Sequence, residues 1–552
     1  MQNIIFFLFF YTLLYLLGRG LLISIGSLFK RDDILDIKIS AFPISTLNPI
    51  FALFYIGQLV LILNFFTKGV STLTFCIALF PFMFNFKSPV KLKKLSFDNL
   101  RIFVILSILS VSSNGATFHQ DAANYQLNNQ HYIRSEKIVA GLANLYSRYG
   151  FSSLSEYINS FFWVDNNFIF LHFVNLTFIS VFYIFLSWCI FSSGNFNFKL
   201  AAIFIALYGL LDNIGINGGR NGFIEIDTVG KQDNMFAVLF FICNFFIIHK
   251  ISNNLEINKE EFLFIYFLIL YSSEIRIFGL VSVFGLFYIS HKKFKYFLNK
   301  SSLTIFFLGC LWILKNFIIS SCFIFPVTRT CFDSPWSNIK VSEIQATELR
   351  QFHLAYNLFD ESIVDWLLRW NERYLNYYVG LNLVFSLLFL FLIINLFFKV
   401  NRKTFTVNIR SIVYVFIVII FWLISAPSFR FGIGIFLILI TSVAFMYKKL
   451  RIRSFKLLFN NQYLLTLLVF TTVFLTPLLE NYYKYQDELK VLPIPQIEYV
   501  IKDNSWGVQV QREEKFNGEK HFCWINKLCT PPFPEGNISE KNLNNYRVFI
   551  SK

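Results

Sequence analysis

Long apolar segments alternate with short polar connectors along almost the whole chain. A helix needs roughly 20 mostly apolar residues to cross the hydrocarbon core of a bilayer, and about fourteen segments approach that length. We predict membrane-spanning helices over residues 3–29, 46–66, 69–86, 98–113, 166–193, 199–212, 234–250, 261–273, 276–290, 302–325, 376–399, 409–426, 429–447 and 462–479. The pattern predicts an all-α polytopic membrane protein.

The short pair 261–273 and 276–290 has two interpretations. Its only break is Ser272-Ser273-Glu274. The segments form either a hairpin of two short spans or one kinked helix. A single helix would change the number of spans by one and so reverse the predicted membrane orientation of all segments before it or all segments after it.

Basic residues concentrate in a subset of the connectors, which the positive-inside rule assigns to the cytoplasm. The loops 114–165, 213–233 and 326–375 and the tail 480–552 then lie outside. The first segment is too long for a signal peptide and is interpreted as a retained span. Six regions follow: an N-terminal four-span region 1–113, a first outer loop 114–165 with the candidate active site, central spans 166–325 with the outer loop 213–233, a large outer loop 326–375, a C-terminal four-span region 376–479 and a small extracytoplasmic α/β tail domain 480–552.

The composition excludes other classes of protein. Hydrophobic residues make up 55% of the 552 residues, charged residues only 15%, and Phe occurs 73 times. A typical soluble domain carries about 25% charged residues, so a soluble enzyme and a disordered chain are both excluded. The net charge of +16 reflects the cytoplasmic connectors, and no nucleic-acid partner is expected.

Four of the eight cysteines fall on the predicted outer side: Cys322, Cys331, Cys523 and Cys529. An oxidising compartment favours disulfides there, and the local pairs Cys322–Cys331 and Cys523–Cys529 are preferred among three possible pairings. A metal site at the second pair is disfavoured because His521 alone does not complete a zinc-like ligand set.

The first outer loop holds the most informative residues. Asp121 follows a span closely enough to lie at the membrane–water boundary. A carboxylate there can act as a general base or hold a divalent cation, and arginines can bind a phosphate bidentately. The candidate groups in this loop are Asp121 as the catalytic residue and His119, His131, Arg134 and Arg148 as substrate-binding residues. The alternative is that Asp121 caps a helix starting at Ala122.

Four further residues near span ends are candidate substrate ligands. Lys231 and Asp233 precede a span and can face Asp121 across a shared cavity, although a solvated loop explains them too. Arg276 is a phosphate ligand if its turn dips into that cavity, and otherwise belongs to an outer hairpin turn. Arg430 either binds phosphate or reaches the interface as a snorkelling anchor.

The large outer loop 326–375 has two interpretations. Residues 342–373 have helix-forming character, with Trp366 and Trp370 one helical turn apart. This pattern predicts an amphipathic helix on the outer membrane surface. A small packed loop domain is the alternative.

The segment around Asp121 resembles the first outer loop of GT-C-type glycosyltransferases, multispan enzymes that use lipid-linked sugars. The chain is also similar, in order over most of its length, to an uncharacterised family of bacterial multispan proteins. That resemblance is carried by the stretch Asp121 to Phe151, whose core is Ile138 to Leu145 with Arg148, by Lys315-Asn316 with Phe325-Pro326, by Ala426 to Phe431, and by Cys523-Trp524 through Cys529-Thr530-Pro531. The GT-C resemblance implies a loop carboxylate, here Asp121, as the catalytic group.

These observations predict an integral enzyme of the bacterial inner membrane. It moves a sugar from a polyprenyl-phosphate donor to a cell-envelope glycan, lipid or protein acceptor on the outer face. No cofactor is expected beyond a divalent cation at Asp121. Two alternatives stay open: an O-antigen-type polymerase that does not depend on Asp121, and a lipid-linked glycan transporter or flippase, which should carry its polar residues at mid-membrane.

Overall fold

The structure is a computed structural model. It describes residues 2–28, 34–87, 97–214, 228–230, 232–357, 361–374, 402–446, 492–494, 499–502, 510–513, 523–525, 538–543 and 546–551. The predicted spans 376–399 and 462–479 and the site candidate Lys231 lie outside these residues.

The described chain is mostly helical. Its α-helices are α1 Gln2–Leu28, α2 Asn48–Asn64, α3 Thr72–Leu79, α4 Phe97–Ser110, α5 Leu127–Ser135, α6 Leu142–Leu145, α7 Leu154–Phe161, α8 Ile169–Phe191, α9 Phe196–Ile214, α10 Asp233–Asn253, α11 Lys259–Ile275, α12 Ser282–Ser290, α13 Lys300–Ser320, α14 Ile339–His353, α15 Ile363–Tyr374, α16 Arg402–Ser425 and α17 Phe429–Phe445. Short strands pair in twos: β1 Lys38–Ile39 with β2 Phe42–Pro43, β3 Thr117–Phe118 with β4 Thr228–Val229, β5 Tyr499–Lys502 with β6 Val510–Glu513, and β7 Ile538–Leu543 with β8 Tyr546–Ser551.

Several of these helices have the length and composition of membrane spans. Among the described residues, 5 helical segments qualify: Gln2–Leu28, Ile44–Asn64, Ile169–Phe191, Asp233–Asn253 and Lys300–Ser320. Shorter apolar helices cover Thr72–Lys87, Phe196–Ala206, Ile409–Ser425 and Arg430–Phe445. The prediction of a helical membrane protein is therefore supported. The count of about fourteen spans is not reached within the described residues and stays a prediction.

Helix α10 lies at the centre of the bundle. The apolar window of this helix is 100% buried, and α8, α11, α12, α16 and α17 all pack against it. Aromatic rings fill much of the core, as where Phe185 meets Phe241, Phe245 and Phe246 at centroid distances of 5.0–5.9 Å. Such edge-to-face packing explains how the bundle accommodates so many Phe side chains.

The segments on either side of Ser272-Ser273-Glu274 form a hairpin. Helix α11 ends at Ile275, and a 3-10 turn over Ile277–Val281 leads into α12. Phe262, near the start of α11, contacts Phe297, which follows α12, at a ring distance of 4.6 Å. The chain has therefore reversed direction, and the interpretation as a single kinked helix is wrong.

The outer loops and the tail meet at one end of the bundle. Strand β3, from the loop 114–165, pairs in parallel with β4, from the loop 213–233. Ala140 exchanges backbone hydrogen bonds with β8 of the tail, at 3.1 Å to the Arg547 carbonyl and 3.0 Å from the Phe549 nitrogen. Asn144 donates both to the Phe549 carbonyl and to the Trp336 carbonyl of the loop 326–375. These four regions therefore lie at the same end of the described bundle, and their extracytoplasmic location stays a prediction.

The large outer loop is folded against the protein. The single helix predicted over 342–373 is wrong, because α14 ends at His353 and Leu354 takes a left-handed conformation with φ of 52°. The Trp366 indole donates to the Leu354 carbonyl, and the Trp370 indole donates to the Pro427 carbonyl. Val364, Leu367 and Leu368 remain exposed on the other face of α15, so this short helix is amphipathic.

The predicted disulfide Cys322–Cys331 is confirmed. Cys523 is also disulfide-bonded, whereas Cys529, its predicted partner, lies outside the described residues. The described part of the tail consists of the two antiparallel hairpins β5–β6 and β7–β8. The described residues of the tail include no α-helix, so the α/β character of the tail stays a prediction.

Candidate functional site

Asp121 immediately precedes a π-helical turn, Ala122–Gln126, at the end of the bundle where these loops meet. Its side chain makes no capping hydrogen bond to that turn, so the interpretation of Asp121 as a helix cap is wrong. The carboxylate instead lies 3.6 Å from the Arg430 guanidinium and 3.3 Å from Nδ1 of His119. It is 25% exposed, which leaves it reachable by a substrate while the protein holds it in place.

Arg430 reaches Asp121 from the first turn of α17. The chain enters this helix through Ala426-Pro427-Ser428, and the Ser428 carbonyl accepts hydrogen bonds from Phe431 and Gly432. This helix start directs Arg430 to the loop 114–165. An arginine that only anchors the helix at the interface has no need of a carboxylate partner, so the geometry favours the interpretation as a site residue.

Arg276 approaches the same place from the end of α11. It forms an ion pair with Asp233, the first residue of α10. Its guanidinium also stacks on the Phe431 ring at 3.8 Å, and the Arg430 guanidinium lies 4.8 Å from the same ring. The Phe431 ring therefore holds two guanidinium groups close together. The repulsion between these two positive charges is offset by the carboxylates of Asp233 and Asp121.

Arg148 completes a group of three arginines. It lies on the 3-10 turn Ser147–Phe151, beside the Tyr146 hydroxyl, and its charge acts on both Asp121 and Tyr125. Burial raises the pKa of Tyr125, and it raises the pKa of Tyr146 to about 12. Both phenols therefore remain protonated and can donate hydrogen bonds at neutral pH.

The carboxyl of Asp121 is ionised in this environment. Burial by itself would raise its pKa, but the hydrogen bond with His119 and the charges of Arg430 and Arg148 lower the pKa below its ordinary value of 3.8. An opposite charge at this distance stabilises the anionic form. Asp121 is therefore available as a proton acceptor across the physiological pH range.

The pairing of β3 with β4 sets the position of the Asp121 turn. The His119 nitrogen donates to the Val229 carbonyl at 2.8 Å, immediately before the turn. Gly230 follows with φ of +92°, and a Cβ added there would lie 2.3 Å from the Cβ of Ala122. Only glycine permits both this backbone conformation and this approach.

Replacing Gly230 with Ala should therefore displace β4 from the Asp121 turn. We expect about 2–4 kcal/mol of destabilisation, because a left-handed alanine and a steric clash add. The measurement is thermal unfolding of the purified protein. The matched control is Gly194→Ala, where φ is +64° but nothing lies within 4 Å of the added Cβ. Equal destabilisation by both variants would contradict a special role for the approach to Ala122.

The tail reaches the other side of the same turn. The backbone nitrogens of Cys523 and Trp524 donate to the Ala123 carbonyl at 3.1 and 2.8 Å. The Trp524 ring packs edge-to-face on Phe118 at 5.1 Å. The tail therefore supports the Asp121 turn by packing and hydrogen bonding.

Two predicted ligands lie at a different place. His131 stacks on Trp163 with an interplanar angle of 6°, and the Arg134 guanidinium lies 5.3 Å from the same ring while donating to the Ser160 carbonyl. These contacts direct both side chains to the end of α7. No contact of theirs with Asp121 is seen among the described residues.

Three buried ionisable side chains near the site could not be recognised from the sequence as a cluster. Glu156 on α7, Glu274 on α11 and Lys315 on α13 are each at most 3% exposed. Lys315 donates to the Ser152 carbonyl, and the Gln58 amide donates to Glu274 at 2.5 Å. Burial raises the pKa of Glu156, against the lowering effect of the Lys315 charge. Their apolar sequence context did not indicate that three separate helices would bring these groups together.

Sequence reasoning also missed His353, at the end of α14. Its ring lies 4.8 Å from the Phe431 ring, and the residue is 3% exposed. Its position after an amphipathic segment gave no indication that it would pack beside Arg276 and Arg430.

Asp121 offers a divalent cation few ligands. No group of three or more His, Cys, Asp or Glu side chains suited to a metal ion occurs within the described residues. Beside Asp121, His119 provides the other metal-binding side chain, and Arg430 already supplies positive charge. This donor set does not form a site made of protein ligands alone for Ca²⁺, which takes six or more oxygen ligands, whereas Mg²⁺ can be held by one carboxylate together with water and phosphate oxygens.

The chain belongs to a recognised family. Residues 3–437 match the family described as Domain of unknown function (DUF8201), which covers most of the 552 residues. No curated protein matches the chain, and no solved structure matches it. The family match contains Asp121, Arg148, Arg276 and Arg430 but ends before the tail that supports the Asp121 turn.

Proposed function

We propose that this member of the DUF8201 family is an integral membrane glycosyltransferase of the GT-C kind. It moves a sugar from a polyprenyl-phosphate donor to a cell-envelope acceptor on the outer face of the bacterial inner membrane. One observation carries the proposal: an ionised carboxylate and a guanidinium, Asp121 and Arg430, lie 3.6 Å apart within a cluster of arginines.

The arginines suit the phosphate of a lipid-linked donor. Guanidinium groups bind phosphate oxygens in pairs of parallel hydrogen bonds, and a cluster of them stabilises the charge that develops on a leaving phosphate. Arg148, Arg276 and Arg430 all act on Asp121 or on its immediate neighbours. Because they lie where apolar helices meet the outer loops, a lipid chain can remain in the bilayer while its phosphate reaches them.

Asp121 acts as the base in this proposal. The acceptor hydroxyl gives its proton to the Asp121 carboxylate as its oxygen bonds to the anomeric carbon. The bond between that carbon and the donor phosphate breaks, and the phosphate keeps the electron pair. General-base catalysis of this type typically contributes about 10²–10⁴-fold in rate. His119, in contact with Asp121, orients the carboxylate.

Direct binding of the lipid carrier tests the proposal without knowledge of the sugar. The full chain in nanodiscs should bind undecaprenyl phosphate, measured by native mass spectrometry. Arg148→Gln should weaken binding roughly 10–100-fold, because a hydrogen bond to a charged group contributes about 1.5–3 kcal/mol.

The matched control is Arg369→Gln on α15. Arg369 is 48% exposed and pairs with Glu361, so its loss should leave lipid binding unchanged. Equal weakening by the two variants, or no binding by the unaltered chain, would contradict the proposal.

A further inference from the structure

His353 lies beside the arginine cluster but has no role in the reaction proposed above. Its imidazole packs against the same Phe431 ring that the Arg276 and Arg430 guanidiniums contact. Its Nδ1 is buried and has no hydrogen-bond partner among the residues that the structure describes. A buried polar atom without a partner is costly, which indicates that a hydrogen-bonding ligand completes the site.

Positive charges surround this imidazole. After burial, the charges that act on it belong to Arg430 on α17, Arg276 at the end of α11, Arg148 on the turn Ser147–Phe151 and Arg373 on α15. On its own helix, Glu348 and Arg350 are the charged residues nearest in sequence. Burial and these arginines lower the pKa of His353 to about 3, so the imidazole is neutral while the site is empty.

An anion bound by the arginines favours protonation of the His353 imidazole. Its negative charge offsets the guanidinium charges that disfavour a protonated imidazole, and its oxygens can accept a hydrogen bond from the ring. Burial of the ring still disfavours its protonation, so the direct hydrogen bond to the anion must offset that effect as well, and the pKa of His353 then rises towards its ordinary value.

We propose that His353 is a proton-linked ligand of the anion site. It takes up one proton from solvent when a phosphate, or another tetrahedral oxyanion, binds among Arg148, Arg276 and Arg430. No bond other than the N–H bond of the imidazolium forms. The inference rests on the proposed function, because it requires that these arginines bind an anion.

Such a histidine would have a definite role in glycosyl transfer. The donor phosphate gains negative charge as its bond to the sugar breaks, and an imidazolium next to it stabilises that charge or gives the phosphate its proton. Substrate binding would then prepare the site for the leaving group.

Proton uptake on anion binding tests the inference. Sulfate is a suitable probe because it does not titrate between pH 5 and 8, so any proton taken up enters the protein. The full chain is titrated with sulfate at pH 6 by calorimetry in buffers of different ionisation enthalpy. If bound sulfate restores the ordinary histidine pKa of about 6.5, roughly three quarters of a proton should be taken up.

His353→Gln should still bind sulfate but should take up almost no proton. His291→Gln, at an exposed histidine, should behave like the unaltered chain. Sulfate binding without proton uptake would overturn the inference and leave the proposed anion site intact. Uptake that persists in His353→Gln but is lost in His119→Gln would also overturn the inference. Failure of the unaltered chain to bind sulfate would overturn the anion site itself.

Discussion

Replacing Asp121 with Asn is expected to abolish sugar incorporation into the cell envelope while the protein level stays normal. The amide keeps the size of the side chain but cannot take a proton from the acceptor hydroxyl. We expect a loss of about 10²–10⁴-fold in transfer rate. The measurement is glycan analysis of the envelope from cells that carry only the variant, together with quantification of the protein in the membrane.

Asp165→Asn is the matched control for this experiment. Asp165 belongs to the same outer loop but is exposed and lies in a turn with φ of 47°, which asparagine tolerates. It should leave the glycan unchanged. An unchanged glycan in Asp121→Asn would contradict the catalytic role and would favour the polymerase or the transporter instead.

Replacing Arg430 with Ala is expected to weaken donor use strongly. The variant removes a guanidinium beside Asp121 and also the second cation at the Phe431 ring. Loss of one such stabilising donor typically lowers the catalytic rate about 10²–10³-fold. Arg430→Lys should recover only part of the activity, because an ammonium keeps the charge but not the paired hydrogen bonds. Transfer kinetics at varied donor concentration provide the measurement.

Arg410→Ala is the control that tests whether loss of any arginine near a helix end lowers the activity. Arg410 lies on α16, is exposed, and contacts Asn254 at the end of α10 opposite to Asp233. It should retain full transfer activity. If Arg430→Ala is as active as Arg410→Ala, Arg430 serves only as an interfacial anchor and the phosphate role is wrong.

The helical segments were predictable because span length is set by the bilayer. The apolar runs 3–29 and 234–250 correspond to α1 and α10 with shifts of a few residues at their ends. The hairpin of α11 and α12 was one of two open interpretations, since the pattern alone does not show whether a polar break reverses the chain. The ring contact between Phe262 and Phe297 decides it.

Part of the site was predictable from residue type and position. A carboxylate just after a span and arginines at span ends suggested Asp121, Arg148, Arg276 and Arg430 as partners. The structure places these four near one another, whereas their roles in catalysis stay predictions. Residue type did not distinguish Arg134 from Arg148, because the direction of each side chain depends on local packing, here against Trp163.

The remaining contributions to the site depend on tertiary contacts that no local pattern contains. His353 joins the arginines only because α14 ends beside α17, where its ring meets Phe431. Asp233 was expected to face Asp121 across a shared cavity, and no local pattern indicated that it would pair with Arg276. The position of Gly230 within the loop 213–233 does not reveal its role, and only its approach to Ala122 shows why that position requires glycine.

An experimental map of the full chain in nanodiscs with undecaprenyl phosphate would show where the donor phosphate binds. We expect phosphate density in contact with the guanidinium groups of Arg148 and Arg430, with the Asp121 carboxylate facing the same recess. Phosphate density elsewhere on the protein, together with an Asp121 side chain that faces bulk water away from every arginine, would contradict this expectation.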